Sequence, residues 1–244
     1  MTRPEIGKTG HSSAGNRESG SSAPRHRRTG GATRLAVGAL LSLWLTGCSI
    51  LGGGNVRERS TIYAPDPRVS IDPSAPVADW QLSLSPPVGA RSIDSFRIAV
   101  RPTPDELQVY RGAAWAKTPT DMLQDALLRA LEDSGKLPSI ARQGAGIAAD
   151  YKLVIDLRRF EADYAGGATP AATVEFNAKL IHTIDQGIVD ARTFHAAAPA
   201  SGTDIPLVVD AFSRSLAKAT SDLAQWILVT GDRHEREGHP GPRR

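Results

Sequence analysis

From Tyr151 to Ala196 three successive runs read as strands, the first two with alternating apolar and polar residues, and no other stretch of the 244 residues restricts the possible folds so tightly. In the middle run Ala172, Val174, Phe176, Ala178, Leu180 and Ile184 share one parity, and Thr173, Glu175, Asn177 and Lys179 share the other. A period of two is that of a strand with one buried and one wetted face. The first run, Tyr151 to Tyr164, changes phase: Tyr151, Leu153, Ile155 and Leu157 lie on one parity, Phe160, Ala162 and Tyr164 on the other. One extra residue keeps both sets on the core side, so a β-bulge is expected near Arg158-Arg159. Gly166-Gly167 closes the first run and Asp185-Gln186-Gly187 turns the chain into the third, Ile188 to Ala196. The pattern predicts an antiparallel meander.

Shorter strand signals precede it. Trp80 to Leu84 alternates before the breaker Pro86-Pro87. Phe96 to Val100 repeats the pattern with Phe96, Ile98 and Val100 inward, and a third short strand is expected over Leu107 to Arg111. Two helices are signposted. Thr118 is an N-cap with Pro119 in the first helical position and Asp121 three residues on; Met122, Leu123, Ala126, Leu127, Ala130 and Leu131 form the stripe, and Ser134-Gly135 the stop. Asp204 caps the second helix, with Pro206 in its first turn and Val208, Val209, Phe212, Leu216, Ala219, Leu223, Trp226 and Ile227 as its apolar face. These elements predict an α+β fold: a mostly antiparallel sheet of five to six strands, with the two helices packed on one face.

The amino-terminal region carries a different signal. A basic flank (Arg25, Arg27, Arg28, Arg34) leads into an apolar run from Leu35 to Leu45, too short for the roughly 20 residues of a permanent membrane helix. Leu45-Thr46-Gly47-Cys48 resembles the lipobox of bacterial lipoproteins, in which the cysteine thiol takes a diacylglyceryl group and the chain is cut just before it. An uncleaved anchor and a buried apolar segment are the other readings. Cys48 is the sole cysteine, which excludes an intramolecular disulfide and a cysteine metal site. Ser49 follows it where lipoproteins held at the inner membrane commonly carry Asp, so the expected address is the periplasmic face of the outer membrane of a Gram-negative source.

Cleavage before Cys48 sets the expected domains: 1–47 as a signal segment with a long extension, 48–79 as a flexible tether, 80–230 as the folded domain and 231–244 as a disordered tail. Gly52-Gly53-Gly54, Pro65, Pro67, Pro73 and Pro76 carry the tether reading; packing of Ser60 to Val69 as an irregular edge is its alternative. Charge also depends on where the chain begins. Residues 1–47 hold seven of the 29 Lys/Arg and two of the 26 Asp/Glu, leaving 22 against 24, a net charge of −2. The basic balance of the precursor therefore gives no reason to expect a nucleic-acid partner.

Signatures of chemistry in the sequence are few. The chain has no Gly-x-Ser-x-Gly elbow and no His-Glu-x-x-His, and Ser134-Gly135-Lys136 lacks the upstream glycine of a phosphate loop. Asp156, Glu161 and Asp163 are expected on a solvated strand face. His182 has apolar parity and no second ligand at useful spacing, so a packed or edge histidine is expected; His234 and His239 read as tail composition. No enzyme activity, metal or cofactor is expected.

Val109-Tyr110-Arg111, Trp115, Pro119 leading into Leu123, Leu127 and Leu131, then Phe194, Ala211, Leu216 and Trp226 resemble the ABC-type transport auxiliary lipoprotein family over Tyr63 to Val229. The resemblance implies a periplasmic lipoprotein beside an ABC permease, its ATPase and a membrane-anchored MCE-domain protein, in traffic of phospholipid or other hydrophobic substrates. It assigns no binding residue beyond Cys48. A structural lipoprotein of another envelope assembly is the second functional class, and homo-oligomerisation is compatible with either.

Overall fold

The computed structural model describes residues 60–238. Nine strands form one sheet: β1 (Thr61–Tyr63), β2 (Gln81–Leu84), β3 (Val88–Gly89), β4 (Arg97–Arg101), β5 (Gln108–Trp115), β6 (Ser139–Arg142), β7 (Tyr151–Asp163), β8 (Ala171–His182) and β9 (Ile188–Pro199). The two helices among the described residues are α1 (Pro119–Ser134) and α2 (Ile205–Arg236).

The meander is present as β7, β8 and β9, antiparallel throughout. Leu157 pairs with Phe176 and Arg159 with Glu175, which leaves Arg158 as the extra residue of the expected bulge. Its effect is to keep one face apolar: Tyr151, Leu153, Ile155 and Leu157 before the bulge and Phe160 and Ala162 after it are all buried.

The remainder of the sheet is larger and more mixed than expected. One side of β7 is taken by β8; the other is shared in tandem by β2, β3 and β4, each running parallel to it. β6 lies parallel beside β2, β5 antiparallel beside β4, and β1 parallel beside β5. The physical reason is the length of β7: 13 residues leave room for several short strands end to end. β1 and β3, with three and two residues, are too short to show a period.

Four expectations are corrected locally. Phe96 is exposed at 58 %, just outside β4, while Ile98, Ala99 and Val100 are buried. Ile184 lies beyond the end of β8 and is exposed. The leash does not extend to residue 79: from Thr61 the chain joins β5, and the strap that follows is held by Arg129 on Asp66, by the Ser221 hydroxyl donating to the Ser70 carbonyl at 2.6 Å, and by Lys136 donating to the Pro73 and Ala75 carbonyls. The tail does not begin at Gly231, because α2 is helical through Arg236.

α1 starts and stops where its sequence says. The Thr118 hydroxyl accepts from the Asp121 N–H, and Gly135 takes the left-handed φ of 62° that ends the helix. A second cap comes from outside the helix: Asp94 accepts from the Thr120 N–H at 3.0 Å and from its hydroxyl at 2.9 Å. Because that carboxylate satisfies a half-buried donor, Asp94→Ala is expected to cost about 1–2 kcal/mol, no less than Thr118→Ala at about 1 kcal/mol. Urea titrations of the two variants check the order. Both helices feed one core, in which Leu123, Leu127 and Leu131 of α1 meet Phe212, Leu216 and Leu223 of α2 and the inward residues of β7 and β8. Trp115, Phe160 and Phe212 form its aromatic centre, with ring centroids 4.9 to 5.9 Å apart.

Candidate functional site

The strap leaving β1 does not seal against α1. Between Ala64-Pro65-Asp66, the Ala116-Lys117 link and the helix lies a groove of about 480 Å³, closed at one end by Arg142 of β6. Its floor is apolar, from Met122 and Leu128, which are nearly buried. Its rim is charged. Asp125 accepts from Lys117 and from Arg142, each at 2.5 Å, and Arg129 pairs with Asp66. Three cations thus share two carboxylates.

Burial pushes the Asp125 carboxyl up, but the hydrogen bonds from Lys117 and Arg142 prevail and hold it below the ordinary value of 3.8. A carboxylate whose pKa is depressed on folding stabilises the fold above the unfolded value and loses that contribution as pH falls through the folded one. Asp125→Asn is therefore expected to lower stability by roughly 1 kcal/mol at pH 7 and by less below about pH 4. Thermal melts of both proteins at pH 7 and pH 3 check this; an undiminished difference at pH 3 refutes it.

A second cluster lies where the last turns of α2 cross the start of β7. The Tyr151 hydroxyl is 2.6 Å from Glu235 Oε1 and 2.7 Å from His234 Nδ1. A phenol has one proton, so it donates to the carboxylate and accepts from the imidazole N–H. Burial, reinforced by Glu235, pushes the phenol well above its usual range and keeps it protonated. His182 packs against both rings, at 5.4 Å from Tyr151 and 5.3 Å from His234, and its Nδ1 lies 3.1 Å from Asp185. The cluster clamps the helix end to the sheet. Among the described residues no three His, Cys, Asp or Glu side chains are placed to hold a metal ion.

A third cluster corrects the expectation for the acidic strand face. Asp156 is exposed, but the Glu161 side chain is wholly buried between Arg101, which grips both its oxygens at 2.7 and 3.0 Å, and Arg159 at 2.7 Å. Arg159 also reaches Asp163 at 2.5 Å. The pairing depends on the bulge, which turns Arg159, Glu161 and Asp163 away from the core together.

Of the residues singled out in the sequence, Cys48, Ser49 and His239 lie outside the described residues. His182 is the packed histidine expected, whereas His234 is a structural member of α2 and not tail composition. The groove and the Glu161 pairs went unseen because each joins residues far apart in sequence, such as Lys117 with Arg142 or Arg101 with Glu161. The free parity of the bulged strand was the one available hint of the latter. Among the described residues no helix is long and apolar enough to cross a membrane.

Comparison with known proteins gives these features a setting. The family model for the ABC-type transport auxiliary lipoprotein component matches residues 61–224. The crystal structure of a Xanthomonas campestris protein of the DUF330 family is 53 % identical, covers 72 % of this chain and 99 % of its own, and superposes with a TM-score of 0.70. A crystal structure of an uncharacterized protein shares the fold at 15 % identity and a TM-score of 0.51, over 66 % of this chain and 99 % of its own. No curated protein matches the sequence.

Proposed function

The chain belongs to the ABC-type transport auxiliary lipoprotein family, and from that premise we propose a non-catalytic, lipid-anchored subunit that docks to an MCE-domain protein and an ABC permease and ATPase to move phospholipid or other hydrophobic substrates between membranes. The family match over residues 61–224 carries this reading, since it spans the whole sheet and most of α2. The groove beside α1 supports it as a place where a partner surface meets an apolar floor and a charged rim. Copurification from detergent-solubilised envelopes is the test. Recovery of MCE and ABC subunits is expected; reproducible recovery of an unrelated assembly refutes the reading.

The anchor belongs to the same proposal. Cys48 becomes a triacylated first residue and Ser49 sends the protein to the outer membrane, facing the periplasm. Cys48→Ala is expected to leave all of the protein as unprocessed precursor, read by intact mass after membrane extraction. A wild-type mass equal to the uncleaved, unlipidated chain overturns the anchor, and fractionation wholly with the inner membrane overturns the address.

A further inference from the structure

β9 is the outer edge of the sheet: it pairs with β8 along its length and, among the described residues, with no strand on its other side. In an antiparallel ladder alternate residues turn both main-chain groups toward the partner, and the rest turn both away. The Ala191 N–H is taken by the Asp190 carboxylate at 2.8 Å, which marks the odd-numbered residues as facing outward. Even-numbered Ala200 bonds back toward the sheet, to the Pro170 carbonyl. At the far end Pro199 has no N–H, and its carbonyl accepts from Arg214 at 2.9 Å. Both ends of the edge are thus closed by the devices that proteins use against stray pairing. Between them Thr193, His195 and Ala197 present outward N–H and C=O groups with no main-chain partner among the described residues.

The helix side of this edge is shaped as well. A groove of about 570 Å³ runs between Asp190 and Arg192 of β9 and the Asp222, Gln225, Trp226, Val229 and Arg233 positions of α2; its two carboxylates are engaged, Asp222 by Lys218 and Asp190 by the Trp226 indole N–H. Val229 is exposed there, and the Gln225 Oε1 is buried without a hydrogen-bond partner. The Arg192 guanidinium lies 5.2 Å from the centre of the Phe194 ring and makes no ion pair among the described residues. A strand added to β9 would set its alternate side chains into this groove, apolar ones against Val229 and Trp226 and an acidic one toward Arg192.

The geometry points to Thr193–Ala197 as a docking edge for an extended segment of another polypeptide, recognised by main-chain pairing, by alternate apolar side chains and by a carboxylate that meets Arg192. The proposal is independent of which transport system the protein serves. The test places a photo-crosslinking benzophenone residue at Ala197 in the full lipoprotein within its own envelope and sequences the adduct. The expected adduct is a strand-forming segment bearing Asp or Glu, and its yield falls about tenfold or more in His195→Pro and in Arg192→Glu backgrounds. His195→Pro removes an outward N–H and no bond to β8, so the purified variant should keep its fold. If it does not, Arg192→Glu alone decides. No adduct, an adduct insensitive to these changes, or an adduct with a second copy of this chain overturns the proposal.

Discussion

Gly231→Val is expected to destabilise the protein by about 3 kcal/mol, although a glycine inside a helix normally costs stability relative to alanine. The reversal comes from Trp80. A Cβ at Gly231 would overlap Trp80 Cζ2 and stand 2.7 Å from its Cε2, closer than atoms approach in real structures. Trp80 cannot step aside, because it is buried and meets Tyr151 edge-on at 4.8 Å. Something larger must give, either the indole or the seat of α2 on the sheet. The diagnostic is a double-mutant cycle in urea. Trp80→Leu alone costs about 2–4 kcal/mol, and combined with Gly231→Val it costs clearly less than the two single losses together. Strict additivity would show that the two residues do not compete for space.

Glu161→Ala is expected to cost about 3 kcal/mol, a loss set by what it leaves behind. Arg101 and Arg159 would face each other across an emptied site; Asp163 still pairs with Arg159, and Arg101 keeps the Pro104 carbonyl and the through-space attraction of Asp163. Both guanidiniums are partly wetted, with side chains 25 % and 30 % exposed, so the loss falls short of that for a fully buried pair. Glu161→Gln keeps the shape and one acceptor oxygen, and is expected to lose about half as much. Equal losses for the two variants, measured by denaturant unfolding, would mean that packing and not charge holds this corner.

The parts of the fold legible in the sequence were those with many repeats of one signal. β7 and β8, with 13 and 12 residues, show their period and even their bulge. α1 announces both ends through Thr118, Pro119 and Gly135. What stayed hidden was decided by tertiary pairing. Three short strands align end to end along β7, a pairing that the alternation of β2 and β4 does not announce and that two-residue β3 is too short to mark, and Phe96 obeys the alternation of β4 yet is exposed. The strap reads as a leash because its prolines and charges resemble a linker, while its attachments beyond Asp66 are main-chain carbonyls that receive side chains from residues 61 to 151 positions away. A carbonyl acceptor leaves no mark on the residue that offers it. The same applies to the site: Lys117, Asp125 and Arg142 converge through the crossover from β5 to β6, and His234 meets Tyr151 across 83 residues.

The strap also sets how the protein bears load. With an anchor at Cys48, any pull between the membrane and a docked partner arrives at Ser60, and the first resistance it meets is the three-residue ladder of β1. Behind that ladder the attachments at Asp66, Ser70 and Pro73 follow one another along the chain, each made by one side chain, with Ile71 packed against the core between the last two, until Ala75 is buried in it. Such contacts yield in sequence and not together. Release from Ser60 to Ser74 would free up to roughly 50 Å of chain at about 3.3 Å per residue, while the other eight strands and the two helices stay in place. The fold thus carries a spool of slack that pays out under tension before the domain itself is strained.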